Sequence, residues 1–128
     1  MNILALDYGE KRIGVAKGST EIKIALPFSI IKNNGNNFVI SEILDIISEE
    51  NIELLLIGLP IGLSGKNTKQ TDIINNFIKL IENKIDIPII TIDERFTTKS
   101  ANSLSNNKKR RVDDIAAMII LQNYLDKQ

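Results

Sequence analysis

The chain contains no cysteine and no histidine. Disulfides, thiolate nucleophiles, Cys/His zinc sites and a Ser-His-Asp triad are excluded together. Acid–base chemistry near neutral pH must then come from carboxylates, lysine, tyrosine or a metal-activated water. Tryptophan is also absent and aromatics make up only 5% of residues, which disfavours single-strand binding on aromatic platforms. The 16 Lys+Arg balance 16 Asp+Glu, so affinity for nucleic acid has to rest on local clustering of charge. Long hydrophobic runs are missing: Gly58, Pro60 and Gly62 interrupt the longest one, far short of a membrane span. Met1 leads directly into the alternating run Asn2–Asp7, without a basic or cleavable leader, and a cytoplasmic protein with no membrane partner is expected.

What is present suits a folded domain. The chain has 128 residues, 43% hydrophobic and 25% charged, enough for one compact domain over residues 1–128 with a real core. A two-lobed enzyme is excluded by length. Residues 3–7 read as a buried strand, 9–12 as a polar turn and 13–16 as a second strand, together a hairpin. Residues 22–31, rich in β-branched side chains, predict a third strand. Asn37 is a candidate cap for a helix ending near Glu50, marked by Val39, Ile43, Ile46 and Ile47 at helical spacing. The apolar run 53–58 predicts a strand covered on both faces. A loop over 60–65, an amphipathic helix marked by Ile73, Ile74, Phe77, Leu80 and Ile81, and a strand over 88–92 follow. A short helix from Thr97 to about Leu104, a loop over 105–107 and a helix from about Val112 to Asp126 complete the chain. The order β-β-β-α-β-α-β-α-α implies one α/β domain with a mixed sheet, its later strands parallel through right-handed crossovers.

Acidic residues collect at the ends of these elements. Asp7 ends the first strand, Asp93 and Glu94 follow the last, and Asp113 and Asp114 open the last helix. Sites in such sheets form at the carboxyl edges of the strands. Asp113, Ala116, Ala117, Ile120 and Tyr124 fall on one helical stripe, and the small alanines let that helix approach the sheet closely. Asp114 also stands above apolar residues, so periodicity leaves the two acids equivalent. Two carboxylates about 4 Å apart repel by roughly 4 kcal/mol at an effective dielectric of ~20. A convergent trio therefore calls for a counter-ion, and an all-oxygen donor set selects Mg²⁺ or Mn²⁺. Such ions suit phosphodiester hydrolysis in a protein without histidine.

Four segments, in order, resemble one family. Asp7-Tyr8-Gly9 with Arg12-Ile13-Gly14-Val15-Ala16, Gly58-Leu59-Pro60 with Gly65, Asp93-Glu94-Arg95 with Thr97-Thr98, and Val112-Asp113 with Ala116-Ala117 and Ile119-Ile120-Leu121 resemble the motifs of the YqgF/RuvX family. This bacterial ribonuclease H-like group is described as Holliday junction resolvases or pre-16S ribosomal RNA nucleases. The resemblance spans essentially the whole chain. It implies a ribonuclease H-like mixed sheet with three antiparallel strands, then two parallel strands, and helices on both faces. It also implies a divalent-metal nuclease in 5′-end maturation of 16S rRNA. Asp7, Glu94 and Asp113 match the family's acidic positions, which selects Asp113 over Asp114. The segment 105–111 departs from the family's usual glycine-containing loop.

Simpler readings stand beside these. Asp113 can be a helix N-cap, Arg95 an ion-pair partner of Asp93, and Thr97 a cap residue. Gly58, Gly62 and Gly65 can serve turn geometry alone. Lys108, Lys109, Arg110 and Arg111 can be a solvated face, although their place just before Asp113 suits phosphate binding. Arg12, Arg95 and Thr97 are further candidate phosphate contacts. The favoured partner is structured RNA, precursor 16S rRNA or a ribosomal particle, over a DNA junction, with the protein a monomer or weak homodimer. Junction resolution on DNA and a non-catalytic RNA- or ribosome-binding module are the alternatives. A kinase of the actin-like kind needs two such domains and is disfavoured by length. Replacing Lys108 and Lys109 by glutamine is expected to weaken RNA binding and flatten its salt dependence; an unchanged slope in a salt titration would remove this run from the interface.

Overall fold

The computed structural model describes residues 1–59, 69–93 and 112–127, with side chains in the last segment from residue 115 onward. Five strands and three helices lie in these segments. They are β1 (Asn2–Tyr8), β2 (Arg12–Ser19), β3 (Leu26–Lys32), α1 (Asn36–Glu49), β4 (Leu54–Leu59), α2 (Lys69–Glu82), β5 (Ile89–Asp93) and α3 (Val112–Asp126). The sheet order is β3-β2-β1-β4-β5. The β1–β2 and β2–β3 pairs are antiparallel, and β1–β4 and β4–β5 are parallel.

The central position of β1 follows from its composition. Hydrophobic side chains on both faces of a strand demand cover on both sides. Leu4, Leu6 and Tyr8 point to one side, where they pack with Ile13, Val15 and Ile31 under α1 and α2. Ile3 and Ala5 point to the other, where they pack with Ala16, Leu54 and Leu56 under α3. Each fully buried Leu or Ile contributes about 1.5–3 kcal/mol relative to exposure. The α1 and α2 contacts come from residues at helical spacing, Val39, Ile40 and Ile43 on one and Ile74, Phe77 and Ile81 on the other. The Tyr8 ring meets Phe77 at 4.8 Å between centroids, and its hydroxyl donates to Asn36 Oδ1 at 2.8 Å. That contact joins the carboxyl end of β1 to the start of α1.

Three local expectations are corrected. The third strand begins at Leu26 rather than Ile22. Residues 19–23 instead form a turn: Lys23 has φ 61° and its N–H donates to the Ser19 carbonyl at 2.8 Å. Asn37 does not cap α1; the cap is Gly35, at φ 108°, with no side-chain cap bond. Gly58 is not a turn residue but lies inside β4. The expected loop at 60–65, the helix at 97–104 and the loop at 105–107 lie outside the described residues.

Close approach seats α3 on the sheet. A Cβ at Gly18 would stand 3.0 Å from the Ile24 carbonyl oxygen, 3.1 Å from Leu121 Cδ2 and 3.2 Å from Leu125 Cδ1. Gln122, on the same helix, accepts from the Ala25 N–H at 2.9 Å and donates to the Lys23 carbonyl at 3.0 Å. Gly18→Ala is therefore expected to destabilise the fold by about 1–3 kcal/mol through overpacking. A urea midpoint equal to wild type would contradict this seating.

Candidate functional site

Asp7 is the penultimate residue of β1, half-buried at the strand's carboxyl end. Its orientation follows from strand alternation. Leu6 and Tyr8 belong to the core beneath α1 and α2, so Asp7 faces the α3 side with Ile3 and Ala5. Its partner on β2 is Gly14. On β4, Gly58 follows Ile57, the partner of Leu6. Glycines thus stand beside Asp7 on both flanking strands, and both are buried. Glycine inside a strand signals close approach by another group, and that was the available sequence clue to both residues.

The amino end of α3 reaches the same edge. Leu121 and Leu125 lie against Gly18, which pairs with Ile3. At ~1.5 Å per residue, position 113 lies about 12 Å back along the helix from Leu121. Asp7 lies about 13 Å along β1 from Ile3 at ~3.3 Å per residue. The backbone at Asp113 thus stands at the level of Asp7. Asp113 lies within α3, at the beginning of its described span Val112–Asp126. Ala117, Ile120, Leu121 and Leu125 bury against the sheet, and both Asp113 and Asp114 stand a turn ahead of that stripe. Helix phase does not separate the two acids; the motif match alone does.

The other acidic pair divides across the sheet. Asp93 ends β5 opposite Leu59, which packs with the α1/α2 core, whereas Ile92 packs with the α3 core. Asp93 therefore faces away from Asp7's side. Glu94 lies one residue beyond β5, outside the described residues, as do Arg95, Thr97, Lys108, Lys109, Arg110 and Arg111. Arg12 opens β2, exposed, two residues from Gly14 on the same face. Among the described residues no three acids converge into a metal cage. No described helix is long and apolar enough to cross a membrane.

Residues 1–127 match the family model described as "RuvX: Holliday junction resolvase". The chain belongs to the RuvX family. A relative from Rickettsia africae, bearing the name "Putative pre-16S rRNA nuclease", is 37% identical over 131 residues, covering 97% of this chain and 85% of that protein. One of the same name from Maridesulfovibrio salexigens is 33% identical over 132 residues, covering 98% of each. Among solved structures, Thermus thermophilus RuvC in complex with Holliday junction substrate is similar with a TM-score of 0.68 and 10% identity, over 99% of this chain and 95% of that one. The RuvX chain described here thus has the ribonuclease H-like mixed sheet, with the antiparallel and then parallel strands that the family resemblance implies.

The two faces of the sheet make a testable distinction between neighbouring acids. In calorimetric titration with Mn²⁺, Asp7→Asn should weaken binding by more than about tenfold, the scale on which altered ligand shells act. Asp93→Asn should leave it unchanged. Equal losses would show that the face assignment does not govern the site.

Proposed function

We propose that this RuvX protein is a divalent-metal-dependent nuclease that hydrolyses phosphodiester bonds in 5′-end maturation of precursor 16S rRNA, in the cytoplasm, as a monomer or weak homodimer. The observation that carries the reading is the half-buried Asp7 at the carboxyl edge of the central strand, with glycine on either side and the start of α3 at its level. The names of the bacterial relatives support the substrate.

The residues fit a hard cation. The chain has neither histidine nor cysteine, so its donors are oxygens. Asp7, Glu94 and Asp113 would hold Mg²⁺ or Mn²⁺. The ion would supply charge neutralisation at phosphate and activation of water. Asp7 anchors the site because its backbone pairs with Gly14 on β2 and directly follows Leu6, which is paired on both sides. Glu94 and Asp113 complete the negative charge that draws the cation in. Arg12, Arg95, Thr97 and the 108–111 run hold the phosphate backbone and offset repulsion between substrate and carboxylates.

A second reading, resolution of DNA junctions, is favoured by the family description and by likeness to a junction-bound RuvC. The two readings share their chemistry and differ in substrate. The deciding assay offers an RNA bearing the 16S precursor 5′ extension and a four-way DNA junction, in Mg²⁺, Mn²⁺ and EDTA. RNA should be cut only with metal, and Asp7→Asn should abolish cutting while leaving the metal-free melting temperature equal or higher. Preference for the junction would reverse the substrate. Binding without cleavage by either protein would replace the nuclease with a binding module.

A further inference from the structure

A second charged feature lies on the same sheet face as Asp7. An open groove of about 550 Å³ is lined by Lys11, Arg12 and Lys32, with Glu10 the one carboxylate among the described residues of its walls. Arg12 and Lys32 are direct partners across the β2–β3 ladder. Ile31 and Ile13 belong to the core beneath α1 and α2, which puts Arg12, Lys32 and Ile30 on the α3 face with Asp7.

The walls of the groove are tied together. Asn33 Nδ2 donates to the Gly9 carbonyl at 2.9 Å, and the Asn33 N–H donates to the Lys11 carbonyl at 2.9 Å. The same side chain accepts from the Gly35 N–H at 3.2 Å. The β1–β2 turn and the end of β3 are thereby held as one unit. A cationic surface that is already ordered loses little entropy when an anion docks.

One row of the sheet joins the strand of the groove to the acid. Asp7 pairs with Gly14, and Gly14 pairs with Ile30, so this row crosses three strands with no side chain rising from its middle member. Lys32 is two strands across from Asp7 and two residues further along. With ~4.8 Å between strands and ~3.4 Å per residue, the backbone separation is about 12 Å. At ~3.4 Å of axial rise per nucleotide in one strand, that is about three to four nucleotides.

We infer that Lys11, Arg12 and Lys32 form a phosphate track that holds the substrate's phosphodiester backbone about three to four nucleotides from the cleaved bond. This rests on the nuclease reading for its distance from the bond, but its charge recognition does not require cleavage. Of the three cations, Lys11 and Lys32 were not marked by any sequence motif. Their meaning comes from the closure of the hairpin turn against the end of β3.

The test is a binding titration in EDTA, with fluorescent precursor-16S RNA and a fluorescent four-way DNA junction, across a range of salt. Lys11→Gln/Lys32→Gln is compared with Lys79→Gln/Lys84→Gln, which removes the same charge from exposed positions in and just after α2. The groove variant should lower the slope of log affinity against log salt by about 1.4–1.8, or 0.7–0.9 per lost phosphate contact. The control should keep the wild-type slope. Under cleavage conditions the groove variant should raise KM and leave kcat unchanged. An unchanged slope, an equal change in the control, or a fall in kcat at constant KM would overturn the track. Slope loss without any cleavage by wild type would keep the track and remove the nuclease. Wild-type protein that binds neither nucleic acid would remove both.

Discussion

Everything else in this molecule depends on burial of β1 from both sides. A strand that carries Leu4 and Leu6 on one face and Ile3 and Ala5 on the other cannot lie at a surface. It needs strands on both edges and helices on both faces, and the remaining elements supply them. The end of such a strand is the best-fixed point in the fold. A carboxylate placed there has little freedom to move away from neighbouring charge. The residue that would be costliest to surround with other acids is therefore also the one whose position is most tightly determined.

Helix α3 covers the face on which Asp7 stands. Its small and branched residues, Ala117, Ile120 and Leu121, allow it to lie close over Ile3 and Ala5. Gly18 removes the last obstacle at the far end. Because the helix is anchored there, its opposite terminus is carried to the edge where Asp7 stands.

The opposite face has a different role. Tyr8, Phe77 and Asn36 connect β1, α2 and α1 through a ring contact and one hydrogen bond. Lys17 pairs with Glu50 at the other end of the same face. These contacts hold the scaffold without touching the acidic edge. Asp93 falls on this scaffold side although it is adjacent in sequence to Glu94. One residue's difference along a strand reverses its face, and that separates two acids that composition alone treats as equals.

The sequence by itself determined the element order, the central apolar strand and the family. These are set by local periodicity and by short motifs whose residues are neighbours in the chain. The acids at Asp7, Glu94 and Asp113 became candidates for the same reason, and of the three only the Asp7 side chain is among the described residues. The ends of β3 and the cap of α1 could not, because a left-handed Lys23 and a bond between Tyr8 and Asn36 override local propensity. Gly58 could be read as a strand end or as a turn residue until its pairing with Ile92 placed it within the sheet. The opposed faces of Asp7 and Asp93, and the meeting of Lys11 with Lys32, were decided by tertiary structure alone. Strand register and turn closure bring distant residues together, and neither leaves a trace in the spacing of residues along a single segment.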